Sequence, residues 1–274
     1  MMAAEARGTH RLWDPSPPVL DDPFALALVG PGWEELAAET RAMARHEVTR
    51  AGRAGVVVRT RYAEDRLADG GPFAQYVILG AGLDSFAWRR PDLLRTLRVF
   101  EVDHPATQAW KQERMATLGL PLDPAHVFVP VDFETGTLHD ALDGAGLDWS
   151  GPTLFSCVGV AMYLEGGALD ATLRTVARAA SGSEIVLGYN VADGFLDDIG
   201  REFLAAVRAR VAGTGEPLRT SMAPEEAEAL LTDCGLTVVD HPTSDDLAGR
   251  YGVRPYTLER LLTARVPESG FIVG

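Results

Sequence analysis

Two glycines and two acids in the first half of the chain have the types and spacing for nucleoside chemistry. Gly80-Ala81-Gly82 follows the apolar run Tyr76–Leu79, and Glu101 and Asp103 close a second run that starts near Arg98. Glycine has no Cβ, so the backbone can turn sharply there and come close to a ligand. A carboxylate at the end of the next strand can accept both ribose hydroxyls, a charge-assisted contact. In a doubly wound sheet these places lie at the carboxyl ends of neighbouring strands, where ligands bind. Asp132 and Phe133 follow a third apolar run, Val127–Val131. The carboxylate can accept from an adenine amino group and the ring offers an apolar edge. The competing role for Asp132 is a helix N-cap; its position along the sheet favours adenine.

Such a turn serves either a nicotinamide dinucleotide or S-adenosylmethionine. Position 85 discriminates between them. The dinucleotide fingerprint G-x-G-x-x-G needs a third glycine for close helix–strand packing over the pyrophosphate. Here the residue is Ser85. A nicotinamide oxidoreductase is further disfavoured because Lys111 is the sole lysine, which leaves no Tyr-x-x-x-Lys pair. The methyl donor, which has no pyrophosphate, is the expected ligand.

The elements that must position these residues follow from periodicity. Asp21 or Asp22 can cap a short helix with Pro23 in its first turn. Trp33–Arg50 and Gly55–Leu67 have helical spacing, although Val56-Val57-Val58 is β-branched. From Gln75 onward strands and helices alternate. The expected strands are Tyr76–Leu79, Leu97–Val102, Val127–Val131, Thr153–Cys157, Glu184–Tyr189 and Leu236–Asp240, with Arg260–Val266 as a last, antiparallel edge strand. Alternation of this kind predicts an α/β fold: a mostly parallel, doubly wound sheet with helices on both faces. The chain reads as a helical cover over residues 1–72 ahead of a core over 73–274, together one compact domain. Asp14–Pro18 reads as a loop.

Composition excludes several functions. The net charge of −14 repels polyanions, so nucleic acid is not an expected partner. No apolar run approaches the length of a membrane span. Met1–Pro18 has no hydrophobic h-region and carries Glu5, Arg7, Arg11 and Asp14, so it does not read as a signal peptide; the expected compartment is the cytoplasm. Two cysteines, Cys157 and Cys234, are too few for a disulfide framework or a cysteine-rich zinc site and read as small buried apolar residues. No metal site is expected.

The chain resembles the leucine carboxyl methyltransferase family, in particular its bacterial branch of S-adenosylmethionine-dependent O-methyltransferases. The resemblance rests on spaced pieces in order: Asp21-Asp22-Pro23-Phe24-Ala25, Arg59-Thr60-Arg61-Tyr62, the stretch Ile78 to Arg89, Phe100 to Pro105, Lys111, Val131-Asp132-Phe133, and Pro152-Thr153 with Met162-Tyr163-Leu164. It implies a class I methyltransferase core with a Rossmann-like sheet and an N-terminal helical cover. It implies that Arg59 holds the methionine carboxylate, that Gly80 and Gly82 form the turn contact, that Asp103 rather than Glu101 is the ribose acid, and that Asp132 and Phe133 recognise adenine. Two departures stand out. Family members have an early cofactor-holding lysine, which is absent here, with Arg7 and Arg11 as the available cations. Many relatives also place a glutamate where this chain has Val158.

The reaction implied is displacement at the sulfonium methyl by a substrate oxygen. A carboxylate is already ionised at neutral pH and needs no base; a hydroxyl would want one, such as histidine. His104 precedes Pro105 and reads as a helix start, and none of the six histidines forms a Ser/His/Asp set. The expected acceptor is therefore a carboxylate, a peptide C-terminus or a small natural-product acid. Arg61 and Tyr163 are the candidate acceptor-pocket residues because both adjoin the cofactor motifs. Hydroxyl O-methyl transfer, nicotinamide oxidoreduction and a non-catalytic cofactor-binding module are the alternatives.

Overall fold

The computed structural model describes residues 2–14, 16–69, 71–133, 136–164, 166–211 and 218–268. Four helices precede the first strand: α1 (Met2–Trp13), α2 (Ala25–Val29), α3 (Trp33–Arg41) and α4 (Glu47–Asp69). Strands and helices then alternate: β1 (Gln75–Leu79), α5 (Phe86–Arg89), β2 (Arg98–Asp103), α6 (Pro105–Leu118), β3 (His126–Pro130), α7 (Leu138–Gly144), β4 (Thr153–Cys157), α8 (Gly166–Val176), β5 (Glu184–Asn190) and α9 (Asp198–Val211). The chain closes with α10 (Pro224–Asp233), β6 (Thr237–Asp240), α11 (Ser244–Tyr251) and β7 (Glu259–Arg265).

The strands form one sheet in the order β3-β2-β1-β4-β5-β7-β6. β1 to β5 are parallel, and β7 runs antiparallel between β5 and β6. The expected antiparallel edge is thus a pair, with β6 outermost. The central strands β1, β4 and β5 are buried along their whole length, as near-continuous apolar runs covered on both faces should be. The chain order reverses between β1 and β4, so the carboxyl ends of β1, β2 and β4 surround the topological switch point where ligands of open sheets bind.

Two differences from the sequence expectation have physical causes. α4 is one helix of 23 residues and takes in the β-branched run; Val57 and Val58 are almost fully buried, so packing outweighs propensity. Nothing in apolar spacing marks α1. The side chains it buries include Arg7, Thr9 and His10, and polar contacts hold it together with the small apolar contacts of Ala4 and Gly8. Arg7 donates to Asp22 at 2.8 Å, and His10 Nε2 accepts from the Val19 amide at 3.1 Å. Asp14, just past α1, takes both Nε and Nη2 of Arg53 on α4 at 2.8 Å each.

Candidate functional site

The glycine turn is tied on both sides. The amides of Gly80 and Ala81 donate to the Val102 carbonyl at the end of β2, at 2.8 and 3.1 Å. Gly80 and Gly82 have φ of 66° and 51°, the left-handed region that disfavours side chains. A Cβ on Gly80 would lie 2.3 Å from Val160 Cγ2, so the turn also sits directly under the loop that follows β4. A Cβ on Gly82 would meet nothing within 4 Å, so the second glycine faces open space.

Asp103 is aimed into this turn. Its Oδ2 accepts from the Gly82 amide and its Oδ1 accepts from the His104 amide at 2.7 Å. Each carboxylate oxygen has a second lone pair, so a pair of vicinal hydroxyls can still be accepted. Burial raises the Asp103 pKa above the ordinary value, against the opposing pull of those two amides. Glu101, two residues earlier, does something else. It is 1% exposed, pairs with the Lys111 ammonium and accepts from His126 Nε2 at 2.9 Å. Burial opposes its charge, and Lys111 with His126 outweighs that, so its pKa is lowered. The sole lysine of the chain is a core counter-ion, its Nζ also lying 5.4 Å from the Trp88 ring centre.

Asp132 follows the end of β3, next to β2, and the Val131 amide donates to the Asp103 carbonyl at 2.9 Å. Gly80, Asp103 and Asp132 thus stand at the ends of three adjacent strands. Phe133 packs partly buried against the core on that side. His104 caps α6 by accepting from the Ala106 amide at 3.2 Å, which is the helix-start role.

Arg59 on α4 reaches the loop after β4. Its Nη1 donates to Glu259 Oε2 at 2.6 Å, and a Cβ on Gly159 would lie 2.4 Å from its Nη2. Burial opposes the guanidinium charge, and the Glu259 carboxylate more than offsets this, so Arg59 is held all the more firmly protonated. Tyr256 donates to the same Glu259 Oε2 at 3.0 Å. Tyr163, in a single 3-10 turn over Ala161–Tyr163, is close enough to act electrostatically on both Arg59 and Tyr256. Arg61 is not brought to this group. Two residues along a helix is a rotation of about 200°, and its half-exposed side chain pairs with Asp65 on the other side of α4 at 2.6 Å.

No local signal in the sequence marks Glu259 or Tyr256: Glu259 lies 200 residues from Arg59. The departure at Val158 is the nearest hint, since it removes an acid from the end of β4. Beyond β5 a cleft of about 410 Å³ is lined by Val191, Phe195, Leu196, Thr257, Arg254 and Arg260. It begins one residue from Tyr256 and from Glu259.

Ser85 faces away from the turn. It is fully buried and donates to Asp22 Oδ2 at 2.7 Å, while Arg89 Nε donates to its hydroxyl at 2.9 Å. Asp22 also holds Arg7, whose Nη2 donates to the Leu83 carbonyl of the turn segment. Of the two arginines considered for the absent early lysine, Arg7 therefore meets the glycine-turn segment, whereas Arg11 pairs with Asp21 in solvent. Both cysteines are free and buried; burial, with Glu259 nearby, pushes the Cys157 thiol up to about 12. Among the described residues no group of three or more His, Cys, Asp or Glu side chains is placed to hold a metal ion.

A Bacillus subtilis protein, "Putative S-adenosyl-L-methionine-dependent methyltransferase YktD", is 37% identical over 177 residues, covering 63% of this chain and 57% of the relative. A protein of Mycobacterium sp. (strain KMS), "Putative S-adenosyl-L-methionine-dependent methyltransferase", is 34% identical over 158 residues, covering 56% of this chain and 51% of the relative. The chain thus spans about half the length of the curated relatives it matches. Two crystal structures share the fold: a "putative methyltransferase" of Thermobifida fusca, 19% identical with a TM-score of 0.59 over 89% of this chain and 93% of that one, and a DUF574 family protein of Streptomyces avermitilis, 17% identical with a TM-score of 0.61 over 96% and 97%. The fold is the Rossmann-like fold of class I methyltransferases. The family model described as leucine carboxyl methyltransferase matches residues 1–177, which include the glycine turn, Arg59, Asp103, Asp132 and Tyr163, and the chain belongs to that family.

Proposed function

We propose that the chain is an S-adenosylmethionine-dependent O-methyltransferase whose acceptor oxygen belongs to a carboxylate. The observation that carries the cofactor reading is the turn itself. Gly82 leaves open space beside the Asp103 carboxylate, and Ser85 is committed to the N-terminal helices instead of a pyrophosphate turn. Gly80, Gly82 and Asp103 would hold the nucleoside, Asp132 and Phe133 the adenine, and Arg59 the methionine carboxylate. Bound there, S-adenosylmethionine supplies an electrophilic methyl whose C–S bond breaks as a C–O bond forms, with no proton to move when the nucleophile is a carboxylate.

The surroundings of Arg59 support that acceptor. They offer the hydroxyls of Tyr163 and Tyr256, and the described histidines are engaged elsewhere or exposed. His10 pairs with Asp14, His104 caps α6, His126 serves Glu101, His139 stacks on Trp149, His241 joins Glu228, and His46 is exposed between α3 and α4. The protein's contribution is then to orient and to exclude water; holding two reactants in register can supply about 7–11 kcal/mol. Tyr163 would line the acceptor side. The neighbouring cleft of about 410 Å³ is within the size range of small-ligand sites and has room for a compact acid.

The test is incubation with methyl-tritiated donor and panels of small acids, phenols and short peptides. A carboxyl product is an ester that releases volatile label in mild base. Label stable to base would overturn the carboxylate reading in favour of a hydroxyl acceptor. Tyr163→Phe should raise KM for the acceptor and leave donor affinity unchanged.

A further inference from the structure

Glu259 is a buried acid delivered to the site by an unusual route. It starts β7, opposite Asn190 of β5, and is 7% exposed. Its side chain lies across β5 at Gly188. A Cβ on Gly188 would sit 2.4 Å from Glu259 Oε1 and 3.3 Å from the Val158 Cα, so the missing methyl is the space the carboxylate occupies on its way to the end of β4. There Oε1 accepts from the Gly159 amide at 3.0 Å. Val158 itself is apolar and brings no charge. The acid at the end of β4 is therefore supplied by a strand two places away in the sheet.

The pair it forms has a specific ligand chemistry. Arg59 and Glu259 present opposite charges side by side, one loop residue from Val160, which covers Gly80. A buried pair of net charge zero is matched by a zwitterion, because carboxylate and ammonium each meet an opposite charge and no net charge is desolvated. The methionine end of the proposed donor is such a group. Glu259 accepts three hydrogen bonds among the contacts above, and two oxygens offer about four lone-pair sites.

We propose that Glu259 holds the α-ammonium of the donor's methionine end while Arg59 holds its carboxylate. This rests on the methyl-donor reading. Glu259 lies beyond the residues matched by the family model, so membership of the family does not assign it this role.

The experiment is calorimetric titration of the intact chain with three probes: S-adenosylhomocysteine, its analogue with hydrogen in place of the α-amino group, and 5′-methylthioadenosine, which lacks the whole amino-acid end. The wild type should prefer S-adenosylhomocysteine to the desamino analogue by about tenfold or more, the scale of a hydrogen bond to a charged group. Glu259→Gln should remove that preference by weakening S-adenosylhomocysteine and leave methylthioadenosine unchanged. Gly188→Ala should act in the same direction, because it displaces the carboxylate without removing it. If either variant fails to fold, the wild-type comparison decides: equal affinity for the first two probes overturns the inference. A folded Glu259→Gln that keeps the preference overturns it as well. Binding of methylthioadenosine with indifference to the amine sinks this inference alone, whereas no binding of any probe sinks the donor reading with it.

Discussion

The Ser85 hydroxyl donates to the Asp22 carboxylate at 2.7 Å, across 63 residues of sequence. The residue that distinguishes this turn from a dinucleotide fingerprint is thus the one that fastens the N-terminal helices to it. Asp22 also accepts from Arg7 and from the amides of Phe24 and Ala25, and it lies 3.8 Å from Arg89. Asp22→Ala should cost about 3–5 kcal/mol, because it strands the buried Arg7 guanidinium and the amides of Phe24 and Ala25, while Arg89 keeps its pair with Glu64. Ser85→Ala removes one neutral partner and should cost about 1–3 kcal/mol. Thermal unfolding of the two variants should rank them in that order.

Asp103 and Glu101 should separate cleanly by assay. Asp103→Ala should weaken S-adenosylhomocysteine by about tenfold or more, the loss of charge-assisted hydrogen bonds, with little change in melting temperature. Glu101→Gln should do the reverse. It leaves the Lys111 ammonium buried beside a neutral amide and should lower stability by about 3 kcal/mol or more, with donor affinity in the folded protein nearly unchanged. A donor-binding loss confined to Glu101→Gln would reverse the assignment.

Acid should loosen the N-terminal helices at Asp14. Burial raises its pKa, and Arg53 and His10 together more than cancel that and bring it to about 2 from 3.8. A carboxyl held below its unfolded value contributes stability that is full above about pH 4 and is lost as the pH falls toward 2. With allowance for solvent screening the contribution is on the order of 1 kcal/mol. Asp14→Asn should flatten the acid limb of the stability curve between those pH values relative to wild type. Identical limbs would count against the assignment.

The two thiols should be silent in the folded state. Burial drives Cys157 up to about 12 and Cys234 up to about 11, so the thiolate that would attack an alkylating agent is scarce at neutral pH. Iodoacetamide at pH 7.5 should label neither until denaturant unfolds the chain. Mass spectrometry of the peptides around Cys157 and Cys234 reads this directly.

Local chemistry was legible in the sequence because it is carried by neighbours. The runs Tyr76–Leu79 and Thr153–Cys157 are strands since every side chain is apolar or small and both faces are covered. Gly80-Ala81-Gly82 must turn since only glycine enters the left-handed region cheaply. The family resemblance already preferred Asp103, but spacing alone left Glu101 and Asp103 equivalent. Tertiary structure separates them by their partners: Lys111 and His126 for one, the Gly82 amide for the other. It likewise turns Arg61 away while bringing Arg59 in, because the rotation of α4 is set by what packs beneath it. It alone joins Arg59 to Glu259 across 200 residues. That pair depends on the order of strands in the sheet and on a missing Cβ at Gly188. Charge partners that meet over a third strand have no spacing in sequence, so only the folded chain decides them.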